Sequence, residues 1–321
     1  MKASPSVAGS TPAHEFWTPR LRVLLDTRYF SLVSVLATYG LIVLGGTVRV
    51  SGAGLACPDW PLCEGELIPP LDRKVLLEYS HRIAASVVGL LVALTLLSAW
   101  LRRGEHPAAF WGAAVSFVLL IAQVLLGAAT VDKDNSATLV ALHLAAALGL
   151  LMALIFTAVD AFRPSKRATV AALPAFVTTA ALTSAVLFAL IVTGSYVANT
   201  GASLVYPDWP LFDGSAFSQG GRLGNLHYAH RLVAAVSGVF MLAVAWQAWL
   251  KERTQFLIMA AVGVALVLYV AQVFIGAANI WFALASPVRI AHLAIASATW
   301  AILVWAAIWR YLNQRPQVRE A

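Results

Sequence analysis

Long apolar runs separated by short polar stretches recur along the whole chain. Eight can be read, over about residues 30–50, 80–101, 110–131, 138–160, 172–198, 229–250, 255–277 and 287–311. Each is about 20 residues or more, enough to cross ~30 Å of hydrocarbon as an α-helix. The runs are continuous and do not alternate with a period of two, which argues for helices over barrel strands. The pattern predicts an all-α membrane protein with eight transmembrane helices.

Composition strengthens this picture. Of 321 residues, 60% are hydrophobic and only 12% charged, and the mean hydropathy is +0.79. A water-soluble domain of this length needs more charge to cover its surface. The formal net charge of +7 could suggest nucleic acid, but its distribution points elsewhere. With the N-terminus inside, the inner segments carry fourteen basic residues: Lys2, Arg20, Arg22, Arg28, Arg102, Arg103, Arg163, Lys166, Arg167, Lys251, Arg253, Arg310, Arg315 and Arg319. The outer segments carry five: Arg73, Lys74, Lys133, Arg222 and Arg289. This is a positive-inside bias with both termini cytoplasmic. The charge is a topology signal, with membrane lipid as the surroundings and no nucleic-acid partner.

Residues 1–29 do not read as a secretory signal. Glu15 and Asp26 interrupt their basic residues, and the next apolar run is too long for a cleaved segment. They also lack the character of a transit peptide, so the expected location is a bacterial plasma membrane. Two cysteines, Cys57 and Cys63, fall in the first outer loop on the oxidising side. Their spacing, with Pro58 and Pro61 between them, can close a small disulfide loop. Two free thiols are the other reading.

The chain also repeats itself. LIVLGGTVRVSGAGLACPDWPLC from Leu41 aligns with LIVTGSYVANTGASLVYPDWPLF from Leu190, an offset of 190 − 41 = 149. The offset holds without a gap, so EYSHR ending at Arg82 meets HYAHR ending at Arg231. Further on, Gln123, Gly127 and His143 meet Gln272, Gly276 and His292. A repeat with an even number of spans returns the chain to its starting side, which predicts two four-helix bundles related by a pseudo-two-fold axis along the membrane normal. The predicted division is a cytoplasmic segment 1–29, a bundle 30–160, a linker 161–171, a second bundle 172–311 and a tail 312–321.

Four of the seven histidines repeat: His81 with His143, and His230 with His292. Each is expected about one turn from the outer end of an inward-running helix, so the members of a pair share one depth. Two imidazoles on neighbouring helices can approach a flat ligand from opposite faces, the geometry of bis-histidine heme. Small residues on the same helices (Ala84, Ala85, Gly89, Ala145, Ala146 and Ala147, then Ala234, Ala235 and Gly238) would leave room for a porphyrin. Zinc or copper fits less well, because neither half offers an accompanying thiolate or carboxylate cluster. A single membrane histidine could merely hydrogen-bond to a neighbour; four at one repeated offset favour heme. Arg82 and Arg231 each follow a candidate ligand and could pair with propionates or snorkel to headgroups.

The halves also differ. Glu78 lies one turn before His81 on the same helical face, and its counterpart, 78 + 149, is His227. A carboxylate desolvated beside a porphyrin is suited to moving protons; the alternative is a solvated acid at a helix start. Cys57 and Cys63 align with Tyr206 and Phe212, so only the first half can form a bridge.

Two four-helix repeats with EYSHR, HYAHR, the following histidine pair, and GGTVRVSGAGL with CPDWP resemble the heme A synthase family across about residues 28–311. The resemblance implies oxidation of the C8 methyl of heme O to a formyl group, giving heme A for cytochrome oxidase. It implies a substrate heme site in the N-terminal half at His81 and His143, with Glu78 catalytic. It implies a heme b held by His230 and His292 in the C-terminal half. The implied partners are a heme O synthase and the cytochrome oxidase assembly machinery, with a homo-oligomer left open. Some members carry a cysteine pair in each half, and this chain departs from that at Tyr206 and Phe212. Two other functions compete: a diheme b-type cytochrome passing electrons from quinol, and a transporter.

Overall fold

A computed structural model describes residues 26–66, 68–164 and 173–314. The expected cytoplasmic segment up to Leu25, the central part of the linker (165–172) and the tail from Arg315 lie outside the described residues. Eight long helices follow one another: α1 (Thr27–Val50), α2 (Arg73–Leu101), α3 (Pro107–Asp132), α4 (Ala137–Ala161), α5 (Ala175–Asn199), α6 (Arg222–Lys251), α7 (Phe256–Trp281) and α8 (Ser286–Leu312). All eight are long and apolar enough to cross a membrane. Among the described residues there is no strand, only two isolated bridges in the loops.

Local chemistry sets the helix starts. Asp72 caps α2 by accepting from Lys74 N and Val75 N, and Asp26 caps α1 through Arg28 N. Proline stands in the first turn of α3 and α8, where its missing N–H costs nothing. Apolar periodicity misplaces two starts. α2 and α6 begin seven residues before their apolar runs at 80 and 229, because their first turns are polar and an apolar run does not register them. The histidines are consequently deeper than one turn. His81 and His230 lie eight residues beyond the first residue of their helices, and His143 and His292 lie six beyond. At 1.5 Å per residue that is roughly 9–12 Å.

Within the first half α1 packs on α2, α2 on α3, α3 on α4 and α4 on α1, closing a four-helix ring. The second half repeats the same neighbours with α5 to α8. The halves meet along α4–α5, α1–α8 and α4–α8. A cluster including Leu148, Leu151, Phe176, Met241, Trp300 and Leu303 fills that junction. Small polar side chains are buried where helices approach closely, as in the 3.0 Å Ser34–Thr95 hydroxyl pair between α1 and α2. Large apolar ones such as Leu36, Leu90, Trp111, Val118 and Val239 stand exposed on the outward faces. This inversion of a soluble surface is what lipid requires.

The repeat survives in the loops. Gly52 and Gly201, which end the first helix of each half, have φ +66° and +81°, a conformation only glycine adopts without strain. Glu64–Gly65 and Asp213–Gly214 share positive φ, and both Trp60–Pro61 and Trp209–Pro210 are cis.

Candidate functional site

The loops that follow α1 and α5 pack back on α2 and α6, and beneath them a cavity of about 1140 Å³ runs through both halves. All four repeated histidines line it, as do Glu78, Arg82, His227 and Arg231. Each imidazole lies against a glycine of a neighbouring helix. A Cβ built on Gly45 would stand 3.0 Å from His81 Cε1, and one on Gly194 would stand 2.8 Å from His230 Cε1. Gly127 and Gly276 back His143 and His292 at 3.5 and 3.3 Å. The glycines are therefore the slots that let the rings seat. Gln123 donates to the His143 carbonyl (2.9 Å), and Gln272 to that of His292 (2.8 Å), fixing the backbone that carries each ring. These glycines and glutamines stand out in the sequence only as repeat markers, and the structure gives them their work.

The donors fit a porphyrin. The Nδ1 atoms of His81, His143, His227 and His230 are buried with no protein partner, so the cavity wall carries unsatisfied imidazole nitrogens that a bound ligand could engage. Among the described residues no three His, Cys, Asp or Glu side chains converge as metal ligands. The arrangement is pairs of histidines in a roomy, largely apolar cavity. Ala85, Gly89, Ala147, Ala234, Ala235 and Gly238 line it as expected, whereas Ala84, Ala145 and Ala146 do not. Beside Gly238 stands Tyr269, whose hydroxyl donates to the Ala234 carbonyl. Its counterpart near Gly89 is Leu120, a difference between the halves that the motif comparison passed over.

Glu78 is not a solvated acid at a helix start. It is 4% exposed; one carboxylate oxygen accepts from Cys57 N (2.8 Å) and the other from Arg82 Nη2 (2.7 Å). The guanidinium and the backbone N–H compensate its charge inside the site. Cys57 and Cys63 are joined in a disulfide, both fully buried. The bridge fixes the loop that presents Cys57 N to Glu78.

Arg82 has a use that neither sequence reading contained. Nη1 donates to the Asp59 carbonyl (2.6 Å) and to that of Leu62, and Nη2 donates to Cys57 O (3.2 Å). Arg231 repeats this with Leu211 O (2.7 Å) and Tyr206 O (3.4 Å), while its Nε donates to His227 Nε2 (3.0 Å). Each arginine ties the loop that precedes its own helix down over the cavity. Arg289 is a further arginine of the site. It stands three residues into α8, lining the cavity, as does Arg49 near the end of α1.

Comparison with known proteins agrees with this architecture. A family model, COX15-CtaA, described as cytochrome oxidase assembly protein, matches residues 28–304. A heme A synthase of Geobacillus kaustophilus is 28% identical over 302 residues, 92% of this chain and 94% of that protein. One from Bacillus licheniformis is 27% identical over 297 residues, 88% of this chain and 96% of its own length. One from Alkalihalophilus pseudofirmus is 32% identical over 222 residues, 66% and 73% of the two chains. With the family match running from the first helix into the eighth, this chain belongs to the COX15-CtaA family of cytochrome oxidase assembly proteins.

Proposed function

We propose that this chain is a heme A synthase, oxidising the C8 methyl of heme O to a formyl group and so supplying heme A to cytochrome oxidase. The observation that carries this reading is one cavity lined by two histidine pairs, with a buried carboxylate beside only one of them. A pure electron carrier has no use for that asymmetry.

In this reading His81 and His143 hold the substrate, heme O, in the first half. His230 and His292 hold heme b in the second, and heme b supplies one-electron redox chemistry when bound. The substrate methyl passes through an alcohol and then an aldehyde hydrate that loses water. Each of the two oxidations takes up one water oxygen and gives up two protons and two electrons, the electrons passing to an acceptor outside the chain. Each oxidation releases protons, and in this reading Glu78 is the base that accepts them. Arg82 and Cys57 N hold both carboxylate oxygens of Glu78, fixing their position while the substrate changes. The disulfide keeps Cys57 N in place. The loop pinned by Arg82 covers the site and limits water. The excess of basic residues on one side orients the two bundles in a bacterial plasma membrane with both termini cytoplasmic, related by a pseudo-two-fold axis along the membrane normal.

The test is to co-express the chain with a heme O synthase, extract the hemes from the purified protein and identify them by mass. Heme A is expected beside heme b. Heme b with unconverted heme O overturns the proposal and supports a diheme cytochrome.

A further inference from the structure

Arg82 and Arg231 are taken up by loop carbonyls, so the anionic edge of a porphyrin in this cavity needs other partners. Two arginines of the cavity wall remain without a carboxylate. Arg49 gives its Nε–H to Asn199 Oδ1 (2.5 Å), which aims the guanidinium across the boundary between the halves. Its two Nη groups have no hydrogen-bond partner among the described residues. The Arg289 side chain has none either, and both arginines line the one cavity. Among the described residues every acid–base pair closer than 4 Å involves other basic residues. Two part-buried guanidinium groups lining one cavity without a counter-charge are unfavourable unless an anion joins them.

Their register ties each to one histidine pair. Arg49 lies four residues beyond Gly45, the glycine that backs His81, and so one turn nearer the outer end on the same face. Arg289 lies three residues before His292, again one turn outward on a shared face. α1 and α8 meet closely here because Gly46 leaves room for Leu293. At the other seam, α4–α5, the aligned positions (289 − 149 and 49 + 149) are Val140 and Ala198, which line the cavity but carry no charge. The feature therefore exists once in the molecule and is not a by-product of the duplication.

We propose that Arg49 and Arg289 form a carboxylate clamp at the α1–α8 seam, binding the propionates of porphyrin held in the cavity. Guanidinium groups pair with carboxylates through two parallel N–H bonds, and the apolar walls strengthen that pairing. The clamp rests on the heme reading of the site. It assigns to Arg49 and Arg289 the contact that motif spacing alone would give to Arg82 and Arg231.

The experiment uses the full chain purified from heme-limited cells and titrated with hemin or its dimethyl ester, followed by Soret absorbance. Wild type should bind hemin at least about tenfold tighter than the ester, the scale of a charge-assisted pair. Arg49→Gln combined with Arg289→Gln should bring the two affinities together by weakening hemin alone, the unchanged ester affinity showing that the variant is folded. Arg49→Lys with Arg289→Lys, which keeps the charges, should retain part of the preference. Equal wild-type affinities overturn the clamp, as does a preference that survives the double Gln substitution. Equal affinities are also the expected result if a lipid phosphate occupies the seam. Failure of wild type to bind either porphyrin overturns the heme reading itself.

Discussion

The loops after α1 and α5 share their backbone turns and differ in their chemistry. In both, an aspartate carboxylate accepts a pair of backbone N–H groups: Asp59 from Glu64 and Gly65 (2.6 and 2.7 Å), Asp208 from Asp213 and Gly214 (2.7 and 2.9 Å). In both, an arginine of the helix below binds loop carbonyls. Where the first loop closes with the Cys57–Cys63 bridge, the second closes with Tyr206 edge-on to Phe212, ring centroids 5.2 Å apart. Where Arg82 meets Glu78, Arg231 meets His227. The shared parts suffice to build the loop, so the parts that differ are free to serve chemistry.

The sharpest break in this comparison is Glu78→Gln. It keeps the shape of the side chain and removes its charge, so heme b content should be unchanged while heme A yield falls about 10²- to 10⁴-fold, the range for a lost acid–base group. Glu78→His copies the second half and should lose activity as heavily. Normal heme A content in cells relying on either variant sinks the catalytic role. Next in size are the ligands. His230→Ala or His292→Ala should weaken heme b retention at least about tenfold, read in reduced-minus-oxidised spectra of the purified protein. His81→Ala and His143→Ala should spare heme b and lose substrate heme instead. Loss of heme b from all four alike would mean that the halves have not specialised.

A smaller effect is expected at the bridge. Replacing Cys57 and Cys63 by serine removes a short covalent loop worth about 2 kcal/mol by chain entropy. The first outer loop should then be cut faster by protease while the loop around Tyr206 keeps its wild-type rate. An unchanged cutting rate in the first loop would mean that Arg82 and Asp59 alone hold it.

The eight spans, the repeat and the four histidines were legible because hydropathy and a fixed offset of 149 survive in the residues themselves. The bridge between Cys57 and Cys63 was legible as one of two options, and the structure takes it. What spacing could not supply was occupancy. Arg82 is one residue from His81, yet its guanidinium is held by carbonyls some twenty residues earlier in the chain. Arg49 and Arg289 are 240 positions apart (289 − 49) and share one cavity wall because α1 packs on α8. Gly45 against His81 is likewise a contact between helices. Such pairings depend on which helices are neighbours, and a single sequence does not state that. The starts of α2 and α6 were missed for a simpler reason, since an apolar run marks hydrocarbon and these helices continue beyond it.

Acid should separate the two loops without any mutation. The backbone N–H groups of Gly65 and Glu64 hold the Asp59 carboxyl below its ordinary value of 3.8, and those of Gly214 and Asp213 do the same for Asp208. A carboxyl whose folded pKa is depressed stabilises the fold fully above the ordinary value, and that contribution disappears as pH falls through the folded value. Both loops should therefore loosen only below about pH 3.8, and modestly, because the groups lie near solvent. The first loop keeps its covalent closure when Asp59 is protonated, while the second is closed by non-covalent contacts, among them Tyr206–Phe212, the Phe212–Ser215 backbone pair, Tyr206–Ser218 and Arg231. Pepsin, active on the acid side of this range, should cut within residues 206–215 before residues 57–66, and prior reduction of the disulfide should make the two rates similar. If the first loop is cut as fast as the second while its bridge is intact, the disulfide is not what distinguishes their mechanical stability.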